Sequence, residues 1–153
     1  MELATPLEAA MKFAQRELSE GFEFQALHRY EDVSGKPIHY RIRLKHPDST
    51  KWIRPLYKNE SGWELKEPNF ESSRPLYNQK KLAERKGEPV YIVEGEWVVD
   101  KLSSIGVLST TSGSCESAKK CDWNLLKGRN VFIWPDNDES GRKYAESVSE
   151  LLK

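Results

Sequence analysis

"PVYIVEGEWVVDKLSSIG", residues 89–106, is the stretch whose reading decides how this chain folds. Val90 to Val93 run as apolar and aromatic residues without a break, and Glu94-Gly95 then interrupts them. The next residues read as a helix, with Gly106 as its stop. An uninterrupted apolar strand is expected where both faces of a sheet are covered, which is the situation of parallel sheets. The pattern recurs downstream. "VLSTTSG" (107–113) reads as a strand, "DWNLLKG" (122–128) as a short helix, "NVFIWPD" (130–136) as a strand and "ESGRKYAESVSELLK" (139–153) as a helix. Strand and helix alternating over short joints predict a parallel sheet wrapped by helices.

Upstream the texture differs. From Phe22 to Trp63 short runs rich in Tyr, Ile, Phe and Trp are broken at 33–37, 46–49 and 59–62 by turn residues. In "IHYRIRLKH" (38–46) the apolar Ile38, Tyr40, Ile42 and Leu44 alternate strictly with His39, Arg41, Arg43 and Lys45. Period two puts the second set on one face of a strand, so an antiparallel meander of about three strands with a basic outer face is expected. The N-terminus opens with a capping box, Thr5-Pro6-Leu7-Glu8, and Leu3, Leu7, Met11, Ala14 and Leu18 follow at helical spacing. This predicts one amphipathic helix of about four turns, stopped by Gly21. "SSRPLYNQKKLAERKG" (72–87) reads as helical from about Pro75. The expected fold class is therefore an α+β half carrying an antiparallel sheet, followed by an α/β half with a Rossmann-like parallel sheet. The divisions are an N-terminal helix (1–20), a basic sheet subdomain (22–87) and a parallel-sheet domain (88–153).

Composition bounds the function. Lys plus Arg number 24, Asp plus Glu 24, and the formal charge is zero, which argues against a protein that coats nucleic acid indiscriminately. Charge is nonetheless uneven: residues 29–58 hold eight basic side chains against three acidic ones, so a phosphate-facing surface is expected there. Cys115 and Cys121 form neither a CxxC pair nor a disulfide framework and read as free thiols. No apolar run approaches the ~20 residues of a membrane span, and no signal-peptide core is visible. The expectation is a cytoplasmic protein without a membrane partner.

Ligands of open α/β sheets bind outside the carboxyl ends of the strands. Two predicted strands end in acids there: Glu94 and Glu96 after one, Asp136 and Asp138 after the other. Carboxylates held close together resist ionising unless a cation joins them. An all-oxygen donor set favours a hard cation, Mg²⁺ or Mn²⁺. A competing role exists for Asp138, which stands where it would cap the helix beginning near Glu139. Asn137 and Gly141 suit a tight turn. Thr110, Thr111, Ser112 and Gly113 end the intervening strand and are either phosphate-binding or, with more weight, turn residues.

The residues quoted above carry a resemblance. "VEGEWVVDKLSSIGVLSTTSG" followed by "LLKGRNVFIWPDNDESGRKYAESV" resembles the Toprim domain, shared by bacterial primases, type IA and type II topoisomerases, OLD-type nucleases and RecR proteins. Its marks, a Glu-Gly turn and an Asp-x-Asp, match Glu94-Gly95 and Asp136-Asn137-Asp138. "WPDNDESGRKYA" is similar to Toprim segments of primase-helicases from phages and plasmids. The upstream "YRIRLKHPDSTKWIRPL" and "EPNFESSRPLYNQKKL" resemble the basic N-terminal half of DnaG-type primase cores.

The resemblance implies an RNA-primer synthase of a mobile element, acting on single-stranded DNA template and NTPs beside a replicative helicase or helicase domain. Glu94, Asp136 and Asp138 would be the catalytic and Mg²⁺- or Mn²⁺-holding acids. Arg41, Arg43, Lys51, Arg54 and Lys80 would meet template or nucleotide phosphates. Departures from the family pattern are Val98 where many relatives have an acid, and Gln79 where a lysine is usual, with Lys80 next. A full Toprim fold adds a strand and a helix after the last helix read here, so the domain is expected to lack its final elements. Two alternatives share the same residues: a non-catalytic primase-derived module that binds single-stranded nucleic acid or a replication partner, and a metal-dependent nuclease. Topoisomerase chemistry is disfavoured, because it needs a tyrosine nucleophile on a separate domain.

Overall fold

The computed structural model describes residues 4–153, so Leu3, first in the expected helical stripe, lies outside the described residues. The architecture is α+β, with a four-stranded antiparallel sheet and a separate three-stranded parallel sheet. The chain divides into two compact units. One takes in the chain through Arg29 together with Pro37–Asn69, and the other Tyr30–Lys36 together with Phe70–Lys153.

The first unit begins with helices α1 (Pro6–Phe13) and α2 (Gln15–Ser19). The capping box forms as expected: Thr5 Oγ1 accepts from the Glu8 amide at 3.2 Å, and the Thr5 amide donates to Glu8 Oε2 at 2.8 Å. The single long helix is corrected to two, because Ala14 leaves helical geometry at φ −90°, ψ 6°. The buried stripe is corrected in part. Ala14 is buried and Leu18 packs on the core as expected, but Leu7 is 50% and Met11 38% exposed, and Ala9 and Ala10 are buried in their place. Small side chains let the helix backbone approach the sheet, and Ala9, Ala10 and Ala14 pack with Ile42, Leu44 and Leu56. Gly21, at φ +99°, supplies the left-handed stop.

Strands β1 (Glu23–Glu31), β2 (Pro37–Lys45), β3 (Lys51–Asn59) and the short β4 (Gly62–Glu64) follow in sheet order β1-β2-β3-β4. The meander therefore has one strand more than the three expected. Its tight connections are built locally: Asp32 Oδ1, for example, accepts from the Ser34 amide and hydroxyl and from the Lys36 amide at 2.6–3.0 Å.

The second unit holds α3 (Gln79–Glu84), β5 (Val90–Ile92), α4 (Glu96–Ser104), β6 (Ser109–Thr110), α5 (Cys115–Ala118), a 3₁₀ turn over Asn124–Leu126, β7 (Val131–Ile133) and α6 (Glu139–Leu151). The sheet order is β6-β5-β7 with every pairing parallel, as the strand and helix alternation predicts. Val90 and Ile92 are buried with Leu76, Leu82, Leu108, Leu126, Tyr144 and Val148.

Two local expectations are corrected, and one helix arises where none was read. The helix expected from Pro75 begins at Gln79, because Asn78 is left-handed at φ 73° and Arg74 instead makes a parallel bridge to Cys121. The short helix in 122–128 is the 3₁₀ turn, and α5 arises where Ser114 caps it by accepting from the Ser117 amide. Among the described residues, no helix is long and apolar enough to cross a membrane.

Candidate functional site

β5 is the central strand and β7 its direct neighbour, in register Val90 to Val131, Tyr91 to Phe132 and Ile92 to Ile133. The pairing runs one residue further, with the Trp134 amide donating to the Ile92 carbonyl at 2.8 Å. The carboxyl ends of the two strands therefore open side by side, and Glu94 and Asp136 leave them together. Glu94 Oε1 accepts from the Asp136 amide at 2.9 Å, which joins the two loops across 42 residues of sequence.

Asp138 stands at the head of α6. Its backbone is extended (φ −146°, ψ 178°), and its Oδ1 accepts from the Gly141 amide at 2.6 Å as the helix N-cap. The capping role weighed from the sequence is thus present. Gly141 is corrected from a turn residue to the third residue of α6. A Cβ there would run into the Asp136 carbonyl oxygen and come within 2.7 Å of Glu94 Oε1, so glycine is what lets α6 start against this rim.

Electrostatics tie the three acids together. Burial pushes the Glu94 carboxyl above its ordinary value, the Asp136 amide pulls it back, and the charges of Asp136 and Asp138 push it up again. Asp136 and Asp138 themselves are solvent-exposed, while Glu94 is half-buried.

The fourth acid points elsewhere. Glu96, only 7% exposed, accepts at Oε1 from the Tyr30 hydroxyl at 2.7 Å, so of the four acids at the two strand ends Glu96 takes no part in the rim. One turn along α4, Asp100 Oδ1 accepts from the Tyr77 hydroxyl at 2.8 Å. Neither tyrosine was read as a site residue: Tyr30 carries no mark beyond aromatic identity before a turn, and Tyr77 stands only within the stretch "EPNFESSRPLYNQKKL" that carries the upstream resemblance. Thr110, Thr111 and Ser112 are buried: Thr110 Oγ1 donates to the Tyr77 carbonyl, Thr111 Oγ1 accepts from the Gly113 amide, and Ser112 Oγ bonds the Tyr144 hydroxyl. Those bonds are the turn role, with the hydroxyls turned into the protein.

The basic residues divide between faces. Arg41, Arg43 and Lys45 lie opposite Pro55, Ile53 and Lys51 across β2 and β3, so Arg41, Arg43 and Lys51 share one face. Arg43 Nε donates to Gln25 Oε1 at 3.0 Å on that sheet. His39 belongs to the same alternation but is 1% exposed, which corrects the expectation of a wholly solvated face. Arg54 lies opposite Ile42, on the other face, with its guanidinium 5.3 Å from the Trp52 ring centroid. Lys80 is on α3, where its Nζ lies 3.9 Å from Glu84 Oε1.

The donors fit a hard divalent cation in kind: all oxygen, from two neighbouring strand ends, with the Glu94 carboxyl held above its ordinary titration by burial first and by the two aspartate charges after it. Among the described residues, no group of three or more His, Cys, Asp or Glu side chains stands gathered as a formed metal set. Comparison with protein-family models, with curated proteins and with solved structures returns no match for this chain.

Proposed function

We propose that the chain is a primase-type Toprim nucleotidyltransferase core that makes RNA primers on single-stranded DNA. The observation that carries this reading is the juncture of Glu94 with Asp136 at the ends of adjacent parallel strands. Glu94-Gly95 and Asp136-Asn137-Asp138 are the two marks of the Toprim resemblance, and the fold makes them neighbours.

In this reading Glu94, Asp136 and Asp138 hold Mg²⁺ or Mn²⁺, which when bound neutralises triphosphate charge and supports attack by a 3′ hydroxyl. Asp138 would keep its Oδ1 on the Gly141 amide and present its other oxygen, cap and ligand together. Arg41, Arg43 and Lys51, sharing one sheet face, suit the phosphates of a single strand, and the neighbouring Ile53 and Tyr57 add apolar and aromatic surface.

The test is incubation with a single-stranded template, NTPs and Mg²⁺ or Mn²⁺, followed by separation of products. Oligoribonucleotides that vanish in Asp136→Ala are expected. Shortened template would point to a nuclease. The capping bond of Asp138 favours a second reading, a module that binds single strands without catalysis. That reading requires DNA binding that is independent of metal and survives both Asp136→Ala and Asp138→Ala.

A further inference from the structure

Helix α4 follows Glu94 directly, and its start is weakly held by its own sequence. Gly95 is the N-cap and offers no side chain to the first turn. The next residue, Glu96, is a buried carboxylate, which is costly unless hydrogen-bonded. The Tyr30 hydroxyl supplies that bond at 2.7 Å, and the Tyr77 hydroxyl does the same for Asp100 at 2.8 Å, one turn on. The two rings meet edge-on, centroids 5.0 Å apart and 87° between planes, and pack with Val93 and Val99. Val93 immediately precedes Glu94, so the same cluster grips the backbone on both sides of the Glu94-Gly95 turn.

Neither tyrosine belongs to the strand and helix alternation. Tyr30 comes from the end of β1, whose last residue is tied to α3 where Gln79 Nε2 donates to the Glu31 carbonyl at 3.2 Å. Tyr77 is fixed in turn by its amide donating to the Thr111 carbonyl, and its carbonyl accepts from Thr110 Oγ1. Burial raises the Tyr77 phenol above its ordinary value, so it remains a donor across the physiological range.

We infer that Tyr30 and Tyr77 are positioning residues for Glu94: through Glu96 and Asp100 they fix the start of α4 and so hold the Glu94 carboxylate against the Asp136 amide. The functional meaning rests on the reading of Glu94 as a metal-facing acid, but the geometry does not.

The Asp136 amide is the reporter, because its acceptor is the Glu94 side chain itself. In metal-free protein, amide hydrogen exchange followed by NMR should show Asp136 exchanging about tenfold faster in Tyr30→Phe/Tyr77→Phe than in wild type. The Trp134 amide, bonded to Ile92, and the Gly141 amide, bonded to Asp138, should keep their rates. Glu96→Gln, which retains an oxygen acceptor for Tyr30, should leave Asp136 protected. An unchanged Asp136 rate, or a rise shared equally by Trp134 and Gly141, overturns the inference and leaves the tyrosines as general stabilisers. Mn²⁺ titration read by electron paramagnetic resonance separates the two claims. Weaker binding in the double variant supports the positioning role. Wild type that binds no Mn²⁺ refutes the metal-site reading, while the exchange result still decides the positioning.

Discussion

Gly141 occupies a helical position where alanine is ordinarily the better residue by about 1 kcal/mol. Here the sign should reverse. An added Cβ meets the Asp136 carbonyl and lies 2.7 Å from Glu94 Oε1, both held in place by the sheet end and by each other. Overpacking of this kind costs about 1–3 kcal/mol, so Gly141→Ala should lower the urea midpoint instead of raising it, with an unchanged slope. Glu94 yields a second test through pH. A carboxyl whose proton affinity is raised by folding binds more protons folded than unfolded between its two titrations. Its contribution to stability is present below the unfolded value of about 4.3 and is lost as pH rises through the folded one. Glu94→Gln keeps an oxygen for the Asp136 amide and carries no charge. Its Tm should exceed that of wild type at pH 7, and the gain should vanish near pH 4. If Glu94 holds Mg²⁺ as proposed, adding the metal should invert the order at pH 7, since a ligand at 100 times its Kd stabilises by about 2.7 kcal/mol and Glu94→Gln would forfeit most of that binding.

At the scale of elements, Asp138 serves α6 as a cap whatever else it does, and the two roles come apart by substitution. Asn caps nearly as well as Asp, whereas Ala costs about 0.5–2 kcal/mol. Asp138→Asn should therefore melt close to wild type and Asp138→Ala several degrees lower. If Asp138 is also a ligand, both should bind Mn²⁺ more weakly, as titration calorimetry would show. The elements themselves were unequally legible. β5 could be read because a buried parallel strand must be apolar throughout, as Val90 to Val93 are; β7 has the same apolar run, yet its outer face is open, with Phe132 51% and Trp134 60% exposed, so the burial expected of it is corrected. The helical stripe held at Ala14 but misled at Leu7 and Met11, because hydropathy ranks leucine above alanine, while close packing onto Ile42, Leu44 and Leu56 favours the small Ala9 and Ala10. The face of Arg54 was hidden for another reason. It depends on the register across the turn joining Lys45 to Lys51, and a slip of one residue would have moved Arg54 beside Arg41 and Arg43.

Across the whole molecule, the acids of the site come from residues 94–138, yet the unit that holds them does not begin at the change of sequence texture near residue 88. The neighbourhood of Glu94 and Asp136 could be anticipated once β5 and β7 were read, on condition that they adjoin, and the order β6-β5-β7 meets that condition. What periodicity could not show was the dependence on upstream residues that belong to no strand and helix alternation. Leu76 and Leu82 are fully buried in the same core as Val90, Ile92 and Tyr144. Arg129 donates to the carbonyls of Leu82, Arg85 and Glu88, which closes the segment after α3 against the loop before β7. A piece comprising residues 88–153 alone would expose that core and leave Glu96 buried without the Tyr30 hydroxyl. Losing two buried leucines corresponds to about 2–5 kcal/mol each by large-to-small substitution, comparable with the whole stability of a small domain. Such a piece should show no cooperative thermal transition by circular dichroism and poor amide dispersion by NMR. The full chain should show a cooperative transition and good dispersion, because it supplies the hydroxyls of Tyr30 and Tyr77 and the side chains of Leu76 and Leu82 together. A sharp melt from 88–153 alone would mean that the parallel sheet holds its acid rim without the upstream clasp.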